Sequence, residues 1–133
     1  MKLFTIIVMK KNLMIVDDDP SILITIREIF ESKDYIVYTV NSGKDCIEEI
    51  KNGFKGVILI DIMMPVMDGW ETIRELKRNN LLQGVSISIL TAIDDPGVDL
   101  KEFNDIIKGY ITKPFDPKEL ISMVDNYHKN LTN

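Results

Sequence analysis

Five short apolar runs, separated by stretches of helical periodicity, constrain the fold of this chain more than any other feature of its sequence. The runs are Leu13-Met14-Ile15-Val16, Ile36 to Val40, Val57-Ile58-Leu59-Ile60, Val85 to Leu90 and Tyr110-Ile111-Thr112. A short continuous apolar or β-branched run, rather than an alternating one, marks a strand buried on both faces. Helical spacing fills the gaps: Ile22, Leu23, Ile26, Ile29 and Phe30; then Cys46, Ile47 and Ile50; then Trp70, Ile73 and Leu76. Asp95-Pro96-Gly97 opens a weaker helical segment through Leu100, Phe103, Ile106 and Ile107, and Leu120, Ile121, Val124 and Tyr127 mark the last helix. Asp19-Pro20 and Asp116-Pro117 each offer an N-cap followed by a first-turn proline, and Asn52-Gly53 reads as a helix stop. This (βα)5 alternation predicts an α/β fold, with a doubly wound, parallel five-stranded sheet covered by helices on both faces.

The 133 residues suit one domain, expected over 12–130, with 1–11 as an N-terminal extension and 131–133 as a tail. The net charge of −5 argues against direct binding to nucleic acid, which needs a concentrated basic surface. The compact basic cluster of Arg74, Lys77 and Arg78 stands at helical spacing beside Glu71 and Glu75, the pattern of a solvated helix face. Cys46 has no second cysteine to pair with and falls on an apolar helix stripe, so it reads as a structural thiol. His128, among polar residues near the C-terminus, reads as surface. Without a histidine–cysteine set at ligand spacing, zinc sites and Ser-His chemistry are not indicated. The apolar start, Met1 to Met9, is too short to span a bilayer and lacks a secretory cleavage pattern, so a cytoplasmic protein without membrane attachment is expected. Translation from Met9 is a further expectation, since the strand–helix pattern begins just after it.

In an open parallel sheet, ligands bind beyond the carboxyl ends of the strands. The polar residues of this chain fall at such ends: Asp17, Asp18 and Asp19 after the first strand, Asp61 after the third, Thr91 after the fourth and Lys113 after the fifth. Two carboxylates about 5 Å apart repel by roughly 3 kcal/mol at an effective dielectric of about 20. Several carboxylates facing one lysine leave a negative excess that a cation would neutralise. Hard oxygen donors without histidine or thiolate select Mg²⁺ or a similar ion.

Four blocks in order carry a resemblance: Ile15-Val16-Asp17-Asp18-Asp19-Pro20, Leu59-Ile60-Asp61-Ile62-Met63-Met64-Pro65-Val66-Met67-Asp68-Gly69, Ile89-Leu90-Thr91-Ala92 and Tyr110-Ile111-Thr112-Lys113-Pro114-Phe115. Together they resemble the signature of CheY-like response-regulator receiver domains of two-component phosphorelays, over roughly Asn12 to Asn130. The resemblance implies a flavodoxin-like fold with strand order 2-1-3-4-5. It also implies phosphoryl transfer from a histidine kinase to Asp61, with Mg²⁺ held by Asp18, Asp61 and the main-chain carbonyl of Met63. Asp17 would act through water or by orienting the site, or would simply cap a helix; Asp19 is the better cap. Thr91 would be the hydroxyl switch and Lys113 would pair first with Asp61, then with phosphate; the Lys113-Pro114 bond would be cis. Tyr110 matches the aromatic switch position, a place that an ordinary half-buried strand tyrosine would also fit. Gly69 would provide either a positive φ or a close main-chain approach.

Two departures stand out. Ile106-Ile107 occupy positions where the family often has Gly-Ala, which bears on how the fourth helix ends. Met63 and Ile93, two residues after Asp61 and Thr91, are apolar and cannot orient a hydrolytic water, which implies a long-lived phosphoryl group. The family resemblance implies no enzyme beyond self-phosphorylation and autodephosphorylation. The partners it implies are a sensor histidine kinase or phosphotransfer protein, and a downstream protein docking on the face of the fourth helix, fifth strand and fifth helix; a phosphorylation-dependent homodimer stays open. Two other readings are a receiver-like binding module that is not phosphorylated and a Mg²⁺-dependent phosphatase with an aspartate nucleophile. The phosphatase pattern places its nucleophile after the first strand with a second aspartate two residues on, whereas Asp61 follows the third strand and position 63 is Met. A flavodoxin would need a Ser/Thr-rich phosphate loop after the first strand.

Overall fold

The structure is a computed structural model and describes residues 11–95, 97 and 99–131. The expectation of a start at Met9, and all of the expected N-terminal extension except Lys11, lie outside these residues. Ten elements alternate along the chain: β1 (Lys11–Val16), α1 (Pro20–Glu31), β2 (Tyr35–Val40), α2 (Gly43–Lys51), β3 (Gly56–Ile60), α3 (Gly69–Arg78), β4 (Val85–Thr91), α4 (Asp99–Glu102), β5 (Ile107–Thr112) and α5 (Pro117–Leu131). All neighbouring strands pair in parallel, in the order 2-1-3-4-5. No helix among the described residues is long and apolar enough to cross a membrane.

The pleat explains the continuous apolar runs. Met14, Val16, Ile58, Ile60, Ile87 and Ile89 point to one face, where α2 and α3 cover them with Cys46, Ile50, Trp70, Ile73 and Leu76. Leu13, Ile15, Val57, Leu59, Leu90 and Ile111 point to the other, beneath Ile26 and Phe30 of α1 and Leu120 and Val124 of α5. Each strand thus feeds two cores, as period-2 geometry requires. Burial alone pushes the Cys46 thiol up to about 12, consistent with a structural role.

The helix ends follow their local chemistry. Asp19 accepts from the Ser21 amide and Pro20 opens α1; Ser42 accepts from the Asp45 amide at the start of α2. Asp68 and Glu71 form a capping box at α3, each satisfying the other's main-chain N–H. Asp116 accepts from the Lys118 amide at 3.0 Å before α5.

Three expectations need correction. The helical segment expected through Ile107 is only four residues long, Asp99–Glu102, and the chain turns through 103–106. Ile107 instead starts β5 and pairs with Ile87, followed by a register shift before Tyr110 pairs with Ile89. The β-branched side chain gains more from extending the sheet over the core than from continuing a short exposed helix. Gly109 lies within the shifted stretch, and a Cβ there would stand 2.0 Å from the Tyr127 hydroxyl, so any larger residue would have to displace that ring. Second, Arg74 is no simple solvated charge: it bridges to Asp99 and Glu102 on α4.

Third, His128 is not a plain surface residue. Its Nε2 lies 3.1 Å from the Asn12 carbonyl, to which it donates as the neutral tautomer, and its ring meets Tyr35 edge-on at 5.6 Å. Tyr35 donates to Asp125, and Lys11 pairs with Asp125 at 3.7 Å, so β1, β2 and α5 are joined by one polar knot. Burial depresses the His128 pKa below its ordinary 6.5, against the opposing pull of the Asn12 hydrogen bond; the Lys11 charge adds to the depression and Asp125 opposes it. The unfolded chain therefore takes up the proton first as pH falls, so stability from neutral His128 is fully present above 6.5 and is lost as pH drops toward the folded value. Urea unfolding should show the parent weakening between about pH 7.5 and 5.5 more than a His128→Gln variant does. Equal slopes for the two proteins would remove His128 as the cause.

Candidate functional site

The site is built at the carboxyl edge of the sheet because the main-chain ladder continues one residue past β1, β3 and β5. The Asp17 amide donates to Val40 at 3.2 Å, the Asp61 amide to Val16 at 2.9 Å, and the Lys113 amide to Thr91 at 2.8 Å. Residues far apart in sequence are thereby fixed by ordinary strand pairing. One carboxylate oxygen from each of Asp17, Asp18 and Asp61 lies within 4.8 Å of the others. Asp17 and Asp61 are buried, at 2% and 7% exposure, while Asp18 is exposed.

Lys113 reaches into this group, its Nζ 2.6 Å from Asp17 Oδ2 and 3.3 Å from Asp61 Oδ2. It pairs with Asp61 as expected, and lies closer still to Asp17. Asp17 also accepts the Asp19 amide at 2.9 Å, and the helix cap belongs to Asp19, so the capping alternative for Asp17 falls. Burial pushes the Asp17 carboxyl up, with the Lys113 ammonium and the Asp19 amide opposing. Burial also works against the Lys113 charge, yet the Asp17 hydrogen bond and the charges of Asp17 and Asp61 carry its pKa above the usual lysine value. Both directions fit a pocket with more negative than positive charge.

The loop between β3 and α3 carries the remaining features. Asp61 Oδ1 accepts the Met63 amide at 3.3 Å, and the Met63 side chain stands 62% exposed. Val66 is fully solvent-exposed with φ +70, a strained state for a β-branched residue, in the loop that follows Asp61. Gly69 provides close approach rather than a positive φ: a Cβ there would lie 2.5 Å from the Asp61 carbonyl oxygen.

Thr91 is fully buried at the end of β4. Tyr110 is half-buried, and its hydroxyl donates to the Ile93 carbonyl at 2.7 Å, tying β5 to the loop after β4. Burial, followed by the charges of Asp95, Asp94 and Asp61, pushes the Tyr110 pKa up, which keeps that proton in place. A main-chain acceptor leaves no mark in sequence, so the Ile93 contact was not legible beforehand. The Lys113–Pro114 peptide is cis.

The donor set fits a hard divalent cation: carboxylate oxygens only, two of the three residues buried, in a pocket where Lys113 is the one cation paired with Asp17 and Asp61 among the described residues and leaves a negative excess. Asp17, Asp18, Asp61, Thr91 and Lys113 all lie at the carboxyl edge of the sheet, as the sequence implied, while Tyr110 lies within β5, paired with Ile89.

Comparison with known proteins agrees. Residues 13–125 match the family described as response regulator receiver domain. The chain is 32% identical to the response regulator SaeR of Staphylococcus aureus over 115 residues, covering 86% of this chain and 49% of that protein. It is likewise 32% identical to the probable transcriptional regulator ycf29 of Pyropia yezoensis over 118 residues, covering 89% of this chain and 53% of that one. The chain thus spans about half the length of the curated relatives it matches. A CheY-like response regulator receiver domain protein from Methanospirillum hungatei superimposes with a TM-score of 0.87 at 40% identity, over 94% of this chain and 99% of that one. The match across 13–125, with this sheet order and carboxyl-edge cluster, places the chain in the response regulator receiver domain family.

Proposed function

We propose that this domain accepts a phosphoryl group on Asp61 from the phosphohistidine of a sensor kinase or phosphotransfer protein. The observation that carries the proposal is the meeting of Asp17, Asp18 and Asp61 oxygens within 4.8 Å beside Lys113. An Asp61 carboxylate oxygen forms the new O–P bond as the donor's P–N bond breaks and its electron pair leaves with the imidazole. Asp18, Asp61 and the Met63 carbonyl would hold Mg²⁺, which when bound neutralises charge on the phosphoryl oxygens. Asp17 orients Lys113, whose compact charge then turns to the phosphoryl group. The Thr91 hydroxyl donates to a phosphoryl oxygen, and Tyr110 reports that shift toward α4, β5 and α5, where a downstream protein docks. The effect is a population shift, driven by contacts available only to the phosphorylated form. A histidine-kinase donor implies a cytoplasmic setting.

Incubation with a small acyl-phosphate donor and Mg²⁺ should add one phosphoryl group by intact mass. No gain would favour the module that binds partners without phosphorylation. Exposed Met63 cannot position water, so phosphoryl loss should be slow. Met63→Asn is expected to speed decay, by up to roughly a hundredfold, the low end of what a positioned acid–base group contributes. Unchanged decay of the isolated phosphoprotein would reject that assignment.

A further inference from the structure

The structure assigns Arg74 a positioning role: it couples the phosphoacceptor loop to α4 through α3, by a route separate from Thr91 and Tyr110. The inference rests on the phosphoacceptor reading of Asp61.

The root of α3 is locked to Asp61. The Gly69 amide donates to the Ile62 carbonyl at 2.9 Å, and the glycine packs so closely that a Cβ would meet the Asp61 carbonyl oxygen at 2.5 Å. The Asp68–Glu71 capping box leaves that first turn no slack. A displacement of the Asp61 main chain therefore moves α3 with it.

Further along the helix, Arg74 grips α4. Its Nε and one terminal nitrogen meet the two Glu102 carboxylate oxygens at 3.1 and 2.9 Å, and that same nitrogen reaches Asp99 at 2.7 Å. The guanidinium carbon sits 5.3 Å from the centre of the Phe103 ring. Phe103 is fully buried and stacks on Trp70 of α3, with ring centroids 5.9 Å apart and planes at 13°. Isolated surface ion pairs position little. Here a planar fork on one carboxylate, a second carboxylate and an aromatic ring fix direction as well as distance. α4 fully buries none of its own four residues; Leu100 packs against the core beside α3, and the Arg74 grip and Phe103 add direction to that apolar contact. Tyr110 holds the other end of the same segment, through Ile93. Besides its core packing, the β4–α4 region thus has two polar ties, one to the switch residues and one that reaches the Asp61 loop through α3.

The test is hydrogen exchange on the whole chain, free and loaded with beryllofluoride and Mg²⁺ as the phosphoryl stand-in. Segments 61–69 and 99–106 are read in the parent, Arg74→Gln and Arg74→Lys. The loaded-minus-free difference across 99–106 should fall roughly threefold or more in Arg74→Gln, the scale of coupling carried by residues along such routes. The response at 61–69 should persist, and Arg74→Lys, which keeps charge but not the fork, should fall between. A merely structural Arg74 would raise exchange equally in both states and leave the difference intact, which overturns the inference alone. A parent that shows no loading response at 61–69 overturns the phosphoacceptor reading and this inference with it. Should Arg74→Gln fold poorly, the Asp99→Asn, Glu102→Gln pair removes the same grip from the α4 side and is held to the same outcome.

Discussion

Replacing Asp61 by asparagine is expected to reduce phosphoryl uptake to below about a thousandth of the parent's, the order of loss when a covalent nucleophile is removed. The amide cannot supply the attacking oxygen, and neither Asp17 nor Asp18 replaces it: Asp17 is committed to Lys113 and the Asp19 amide, and Asp18 is exposed. The same variant should be more stable than the parent without Mg²⁺. Asp61 has two carboxylate neighbours within 4.8 Å and one ammonium at 3.3 Å. At an effective dielectric of about 20, each repulsion is roughly 3 kcal/mol and the attraction roughly 5 kcal/mol, so the net penalty is about 1 kcal/mol once solvent at exposed Asp18 is allowed for. Intact mass after incubation with a small phosphodonor, paired with urea unfolding, checks both halves. A variant that still gains a phosphoryl group would move the acceptor elsewhere. One that loses both uptake and stability would make the first result a folding defect.

The position of Asp61 was legible because strand ends are. Apolar runs of three to six residues, four of the five followed at once by Asp, Thr or Lys, in a chain that alternates strand and helix, put those residues on one edge before any coordinates are known. Parallel pairing supplied the rest, so the sheet order and the carboxylate cluster agree with expectation. What stayed hidden depends on distances between side chains. Nothing in the sequence says that Lys113 sits closer to Asp17 than to Asp61, since the two carboxylates end adjacent strands and differ only by tenths of an ångström in reach. Ile106 and Ile107 fit a helical stripe and a strand equally well by period; pairing with Ile87 decided for Ile107. His128 and Arg74 looked solvated because their partners, Asn12 in one case and Asp99 and Glu102 in the other, lie on other elements. Long-range polar contacts carry no local periodicity, so a single sequence does not report them.

Lys113→Ala should produce the largest loss of stability among single changes at the site. Lys113 is the cation within reach of both Asp17 and Asp61, which are 2% and 7% exposed. Removing it strands two buried carboxylates together, a change that typically costs about 3–5 kcal/mol. In the parent, the raised Lys113 pKa means that its stabilisation is fully present below 10.5 and is lost only as pH rises through the higher folded value, so neutral buffer shows it complete. In the variant the burden shifts to Asp17. Burial already holds its folded pKa above the ordinary 3.8, and without the lysine nothing of opposite charge opposes the rise. A carboxyl with a raised folded pKa favours the folded state below 3.8 and loses that contribution as pH climbs through the folded value. The deficit relative to the parent should therefore be smallest in acid and grow toward neutrality. Mg²⁺ should narrow it, because an ion that binds only the folded site adds stability by mass action, and the variant's pocket is the more negative of the two. Urea midpoints at acid and neutral pH, with and without Mg²⁺, separate these effects. A deficit that ignores both pH and Mg²⁺ would mean that Lys113 contributes through packing of its stem, and that the acidic cluster does not govern this end of the sheet.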